Sequence, residues 1–169
     1  PLFGLACTAA LATERARRGD NRAFIAIQTE TACFLRGVYF DDLTSRTDQE
    51  TTLGDLLIQA LAQQFNLHQG TPSTDGIRIT DNTVTAPIEW QRLISGELAM
   101  FSTPPSIKAV FPGAFNPIHQ GHQMIARVAE TRLDYPIHFE LSVTNVDKPA
   151  LSYWHLERRI QGLKTAGSY

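Results

Sequence analysis

The chain has 169 residues, of which 43% are hydrophobic and 19% are charged, and its formal net charge is −2. This length allows one domain or two small ones, and this apolar share is typical of a globular protein with a packed core. The near-neutral charge gives no reason to expect a nucleic acid or a membrane surface as a partner. The sequence shows no membrane-length apolar run and no signal-peptide pattern.

The two cysteines, Cys7 and Cys33, are far apart in sequence and fit no metal or redox spacing. The favoured interpretation is a pair of buried free thiols in a reducing compartment. We therefore expect a cytoplasmic protein.

Residues 3–65 alternate between apolar and charged stretches. Residues 3–12 are small and apolar, which predicts a strand or the turn into one, and the charged residues 14–21 predict an exposed loop. Residues 23–29 and 33–40 read as two strands separated by a short gap, which favours an antiparallel hairpin. Residues 47–65 follow as a helix, because apolar residues recur there at helical spacing.

This first segment, residues 1–68, resembles part of the C-terminal domain of competence/damage-inducible protein A. The resemblance lies in Gly4-Leu5-Ala6, in the two predicted strands, and in Arg46 leading into a long helix. Domains of that family often have nicotinamide mononucleotide amidase activity. Their Ser/Thr-rich active-site segment lies upstream of the matched part, so no amidase residues are assigned.

Residues 69–105 form a connector between the first segment, residues 1–68, and the segment that begins at residue 106. The Gly-Thr-Pro-Ser cluster at residues 70–73 predicts a loop that interrupts regular secondary structure. Asp81-Asn82 between two short apolar stretches predicts a small hairpin. Residues 87–100 predict a short helix whose inward residues are Ile88, Leu93 and Ile94. Thr103-Pro104-Pro105 marks the domain boundary.

The most specific stretch is residues 113–122, which read Gly-Ala-Phe-Asn-Pro-Ile-His-Gln-Gly-His. An apolar run at 107–111 before it predicts a buried strand, and residues 123–130 after it predict a helix. Main-chain N–H groups at such a turn can face an anion, and the helix dipole favours negative charge there. His119 and His122 add donors, so we expect a site that binds phosphate.

Two simpler interpretations compete with a phosphate site. Histidines three residues apart can bind zinc, but Cys, Asp and Glu ligands are lacking nearby in the sequence. The glycine turn can also be a plain strand-to-helix connection. The full run of residue types favours the phosphate site over both.

The same run resembles the signature of the HxGH nucleotidyltransferases. That resemblance implies a Rossmann-like α/β fold, an NTP substrate, usually Mg²⁺, and release of pyrophosphate. It implies that the first histidine contacts the NTP phosphates and that the second helps to stabilise the charge on the transferring phosphate. The nucleotide-binding residues it implies are Gly113, Ala114, Phe115, His119, Gly121 and His122. Gly121 would let a substrate approach closely.

After the signature, residues 137–143 predict a second strand, so strand, helix and strand form a parallel crossover. Ligands collect at the carboxyl ends of such strands. Lys148 follows the second strand and is either a further catalytic phosphate contact or an exposed loop lysine. A helix at 151–164, capped by Ser152, carries Arg158 and Arg159. These arginines contact a phosphate or a ribose, or, as favoured, form a solvated face.

The expected fold class is therefore α/β: an amidase-like segment, then the first part of a Rossmann-like nucleotidyltransferase domain at residues 106–169. The expected function is transfer of an adenylyl or cytidylyl group from an NTP, with ATP favoured, to a small phosphorylated acceptor such as nicotinamide mononucleotide. Two alternatives stay open: a non-catalytic nucleotide-binding or assembly module, and an amidase-related protein. We also expect a homo-oligomer.

The chain has only part of the pattern that the signature implies. The family's second segment, Ile-Ser-Ser/Thr-x-x-x-Arg, closes over the NTP and does not occur here. We therefore expect a piece of a longer protein that, in isolation, binds nucleotide weakly and turns over slowly.

Overall fold

A computed structural model describes residues 3–15, 18–67, 70–101, 107–144, 147 and 149–167. They form a mixed α/β structure that divides into two units, Pro1–Thr83 and Val84–Tyr169. In chain order the elements are β1 (Gly4–Ala10), β2 (Arg22–Gln28), β3 (Ala32–Tyr39), α1 (Arg46–Gln64), β4 (Arg78–Thr85), α2 (Ile88–Ser95), β5 (Val110–Gly113), α3 (Gln120–Leu133), β6 (His138–Leu141) and α4 (Tyr153–Thr165). Within the described ranges, no helix has the length and apolarity needed to cross a bilayer.

The first unit is built on a four-stranded sheet with the order β1-β2-β3-β4. The β2–β3 hairpin is antiparallel, as the sequence predicts, with Ala26 opposite Leu35. Strand β2 buries alternate residues, so one of its faces is apolar. Ile25 and Ile27 pack on that face with Ala60 of α1, and the side chains of all three are fully buried. The core of this unit therefore lies between the sheet and α1.

The predicted hairpin around Asp81 and Asn82 is wrong, because both residues lie inside the continuous strand β4. Arg36 on β3 is almost fully buried, and its Nε and Nη2 atoms donate to the two carboxylate oxygens of Asp81 at 2.8 and 2.7 Å. Its Nη1 atom donates to Gln59 Oε1 on α1 at 2.8 Å. The Asp81 side chain thus partners a buried cation in this structure, and the sequence pattern could not reveal that contact.

The cysteines are both free, but only Cys33 is buried. The expectation of two buried thiols is wrong for Cys7, because β1 is an edge strand of the sheet and nearly all of its residues are exposed. The burial that remains at Cys7 still raises the pKa of its thiol above the usual value. It is therefore not an activated thiolate at neutral pH.

The second unit contains the predicted strand–helix–strand crossover, but its first strand, β5, covers Val110–Gly113 rather than residues 107–111. The prediction that this strand is buried is wrong, since Val110 is exposed. Strands β5 and β6 pair in parallel, with Val110 opposite His138 and Gly113 opposite Leu141. Helix α3 connects them, and α4 follows. Helix α4 has an apolar face, since Leu156, Ile160 and Leu163 are buried.

Helix α2 confirms the predicted short helix but corrects one of its inward residues. Leu93 and Ile94 are half-buried, whereas Ile88 is exposed. Because a helix turns once in about 3.6 residues, Ile88 lies on a different side of α2 from both of them. The predicted boundary at residues 103–105 falls outside the described residues.

Candidate functional site

The predicted phosphate turn begins where β5 ends. Gly113 is the last residue of β5 and lies opposite Leu141, the last residue of β6. Because the strands are parallel, their carboxyl ends share one edge of the sheet, and the turn leaves the sheet at that edge. This is the edge at which open α/β sheets place their ligands.

Phe115 anchors the turn from inside the unit. Its side chain is buried, and its ring makes edge-to-face contacts with Phe111, His122 and Phe139 at centroid distances of 5.7, 5.2 and 5.1 Å. Its backbone φ is +43°, in the left-handed region that a bulky side chain rarely adopts. The aromatic packing therefore holds a strained backbone position in the middle of the turn.

The two glycines of the signature make room for the site's own rings. A β-carbon on Gly113 would lie 2.6 Å from Cζ of Phe115. One on Gly121 would lie 3.1 Å from both Cε1 and Nδ1 of His119. The sequence predicts that Gly121 leaves space for a substrate, and in the structure the His119 ring occupies the space in front of it.

His119 and His122 stack on each other at the start of α3. Their ring centroids are 3.7 Å apart and the ring planes differ by 29°. His119 is the N-cap residue, and its main-chain N–H donates to Nδ1 of His122 at 3.2 Å. Because Nδ1 accepts this bond, the neutral His122 ring carries its proton on Nε2 and presents a donor there.

The surroundings of this pair favour an anion. The N–H groups of Gln120 and Gly121 open α3, where a helix has no internal acceptor for them, and the helix dipole adds positive potential. The first turn of α3 holds no acidic residue. His119 is exposed and His122 is half-buried, so a ligand can reach the pair from solvent.

Arg159 also reaches the turn, a contact that the sequence argument did not favour. Its Nη1 atom, on α4, donates to the main-chain carbonyl of Ala114 at 3.1 Å. Arg158, in contrast, is exposed and lies over the Trp154 ring at 5.3 Å. The solvated-face interpretation therefore fits Arg158 and is wrong for Arg159. A 45-residue separation gives no local signal for such a contact.

The start of α4 carries one perturbed histidine. Ser152 caps the helix as predicted, accepting from the His155 N–H at 3.4 Å, and its hydroxyl lies 2.8 Å from His155 Nδ1. Burial lowers the pKa of His155, and the nearby charges of Arg159 and Arg158 lower it further. The predicted contact residue Lys148 lies outside the described residues.

A cavity of about 1010 Å³ in the second unit is separate from the signature. Its lining is rich in aliphatic and aromatic side chains and includes Leu93, Phe139 and Leu156. It reaches α3 at Gln123 but includes no residue of the signature at 113–122. The cavity and the exposed start of α3, where the signature residues lie, are therefore separate features of the second unit.

The described residues hold no cluster of three or more His, Cys, Asp or Glu side chains that would suit a metal ion. Mg²⁺ prefers oxygen ligands and is commonly bound through substrate phosphates with few carboxylates. The imidazole pair does not match that preference. A magnesium ion at this site would therefore be held mainly by oxygens of the NTP.

One comparison with known proteins covers this part of the chain. Residues 110–169 match the family model described as cytidylyltransferase-like. The match supports the nucleotidyltransferase-like superfamily that the signature predicts, over a stretch running from β5 through α4. No curated protein and no solved structure matches the chain. The resemblance of residues 1–68 to the amidase-like domain stays a prediction.

Proposed function

We propose that the cytidylyltransferase-like region transfers a nucleotidyl group from an NTP to a small phosphorylated acceptor and releases pyrophosphate. The observation that carries the proposal is the stacked pair of His119 and His122. The pair opens α3 at the carboxyl edge of a parallel strand pair. Donors and a helix start combine at one exposed point, which suits a polyphosphate.

In this reaction a phosphate oxygen of the acceptor attacks the α-phosphorus of the NTP. The bond from that phosphorus to the bridging oxygen of the β-phosphate breaks, and pyrophosphate leaves with its electron pair. Phosphoryl chemistry of this kind needs alignment and charge stabilisation more than covalent help from the protein. Nε2–H of His122, the His119 ring and the first N–H groups of α3 are the donors that would stabilise the developing charge.

Mg²⁺ that arrives with the NTP would neutralise part of the phosphate charge. The protein's own contribution is then to place donors that are already oriented. The bond from the His119 N–H to His122 Nδ1 does this, because it fixes both the ring position and the proton position of His122.

The choice of substrates extends this proposal. The matched family description favours testing CTP, and the HxGH signature favours testing ATP beside it. Nicotinamide mononucleotide and nicotinate mononucleotide are the acceptors suggested by the amidase-like resemblance of residues 1–68. Only the choice of acceptor depends on that resemblance. If both acceptors prove incorrect, the proposal of nucleotidyl transfer still stands.

A pyrophosphate-release assay tests the proposal, with CTP or ATP, Mg²⁺ and each acceptor. We expect slow release from the wild-type chain. The rate should fall by roughly 100-fold or more in His119→Ala, since removing one fixed donor to the developing charge costs about that much. His138→Gln is the matched control, because His138 lies at the amino end of β6, opposite the signature's edge. Nucleotide binding without pyrophosphate release for any acceptor would contradict the enzyme and support the non-catalytic module.

A further inference from the structure

We propose that Arg159 is a positioning residue that orients the peptide between Ala114 and Phe115 for phosphate binding. The proposal rests on the proposed function, because it assigns a role within the same site. Arg159 acts through the turn and is not itself a catalytic residue.

The contact joins two segments that are distant in sequence. Nη1 of Arg159 on α4 donates to the Ala114 carbonyl at 3.1 Å, across 45 residues. Nε of the same guanidinium is buried and has no hydrogen-bond partner in the part of the chain that the structure describes. A buried N–H without a partner costs free energy. The side chain thus keeps this position at a cost, which points to a role beyond a solvated surface.

The bond fixes the direction of one peptide group. In a trans peptide the carbonyl and the following N–H point in opposite directions, and the described chain has its cis bond at Asn116–Pro117. With the Ala114 carbonyl held towards Arg159, the Phe115 N–H points away from it. The carbonyl oxygen then accepts a hydrogen bond from a cation. The N–H on the other side of the peptide is a donor that an anion can use.

The packing of Phe115 makes this orientation consequential. Its ring is fixed by Phe111 and Phe139, while its backbone is strained at φ +43°. A strained residue keeps its position only when its surroundings over-determine it. Arg159 supplies the restraint on the main-chain side and the aromatic rings supply the restraint on the side-chain side.

The electrostatics agree with a cationic edge. The charges of Arg159 and Arg158, after burial, lower the pKa of His155, so both guanidinium groups lie near the start of α4. Only Arg159 combines this charge with a bond to the turn.

The test is NMR spectroscopy of the ¹³C,¹⁵N-labelled chain, first without nucleotide and then during titration with CTP or ATP and Mg²⁺. Arg159→Met keeps the apolar stem and removes the donor, while Arg159→Lys keeps the charge. Arg158→Met is the matched control from the neighbouring position. We expect Arg159→Met to shift the Ala114 carbonyl and Phe115 amide signals and to weaken nucleotide binding roughly tenfold. Arg159→Lys should recover part of the affinity, and Arg158→Met should behave as wild type.

Wild-type signals and affinity in Arg159→Met would overturn the proposal. If Arg159→Met does not fold, Arg159→Gln, which removes the charge and shortens the side chain, decides: shifted Ala114 and Phe115 signals with weaker nucleotide binding support the role, and wild-type signals and affinity overturn it. If those signals shift in Arg159→Met but the wild-type chain binds no nucleotide, the contact to the turn stands and the proposed function fails.

Discussion

The ring of Phe115 lies where a side chain at Gly113 would have to be. A β-carbon at position 113 would meet Cζ, Cε1 and Cε2 of that ring at 2.6, 2.8 and 3.1 Å. The glycine therefore allows an aromatic ring to close over the end of β5. This ring in turn contacts His122 at a centroid distance of 5.2 Å, so the glycine and the histidine belong to one packed arrangement.

Gly113→Ala should displace the Phe115 ring and destabilise the second unit. Overpacking of this kind costs about 1–3 kcal/mol in free energy of unfolding. Gly162→Ala is the matched control, since a β-carbon there meets nothing within 4 Å, and it should raise stability by about 0.5–1 kcal/mol. Urea unfolding of both variants measures the difference. An equal effect of the two substitutions would contradict this explanation of Gly113.

His122 caps α3 and is also the proposed donor to phosphate, and substitutions can separate these two roles. Glutamine at this third helical position can also accept from the N-cap N–H, so His122→Gln should leave the free energy of unfolding nearly unchanged. His122→Ala removes the bond to His119 N–H and should cost about 1 kcal/mol. Both variants should bind CTP and ATP more weakly. If His122→Gln binds like wild type, the imidazole is not the donor.

The sequence predicted the local elements well, because their signals are local. The turn after β5 and the Ser152 cap each follow from residue types within a few positions. The start of α3 does not, since the predicted helix begins at residue 123 and α3 begins at Gln120. It missed features that depend on residues brought together by folding. The Asp81 carboxylate on β4 accepts a hydrogen bond from Arg36 on β3. Arg159 donates to the Ala114 carbonyl across 45 residues of sequence. Neither contact leaves a periodic pattern.

The buried partner of Asp81 predicts a large effect for Asp81→Ala. Arg36 is 5% exposed, so the substitution leaves a buried guanidinium with Gln59 as its remaining side-chain hydrogen-bond partner among the described residues. We expect a loss of about 2 kcal/mol in free energy of unfolding, below the usual cost for a buried pair because Asp81 is 43% exposed.

The ion pair between Asp41 and Arg78 provides the control for this measurement. Its two side chains are 48% and 56% exposed, so Asp41→Ala should cost less than about 1 kcal/mol. Denaturant unfolding of both variants gives the comparison. Equal losses would show that burial of Arg36 does not set the cost.

His155 predicts a pH dependence of stability. Burial, then Arg159 and Arg158, hold its pKa below the usual 6.5 in the folded chain. Between that lowered value and 6.5 the unfolded chain binds more protons, so the free energy of unfolding falls as the pH drops through this window. Above pH 6.5 His155 is neutral in both the folded and the unfolded chain, so the free energy of unfolding no longer depends on its titration. His155→Gln should flatten the slope measured from pH about 8 to about 5. A slope that is unchanged in this variant would assign the effect to other groups.

The most direct test of the central claim is calorimetric titration of CTP and of ATP, each with Mg²⁺, into the wild-type chain and the double variant His119→Ala/His122→Ala. If the stacked pair at the start of α3 binds the polyphosphate, the double variant loses at least about tenfold in affinity for the nucleotide that the wild type binds. The His138→Gln variant should retain wild-type affinity. Equal affinity in the wild type and the double variant would contradict the assignment of this site.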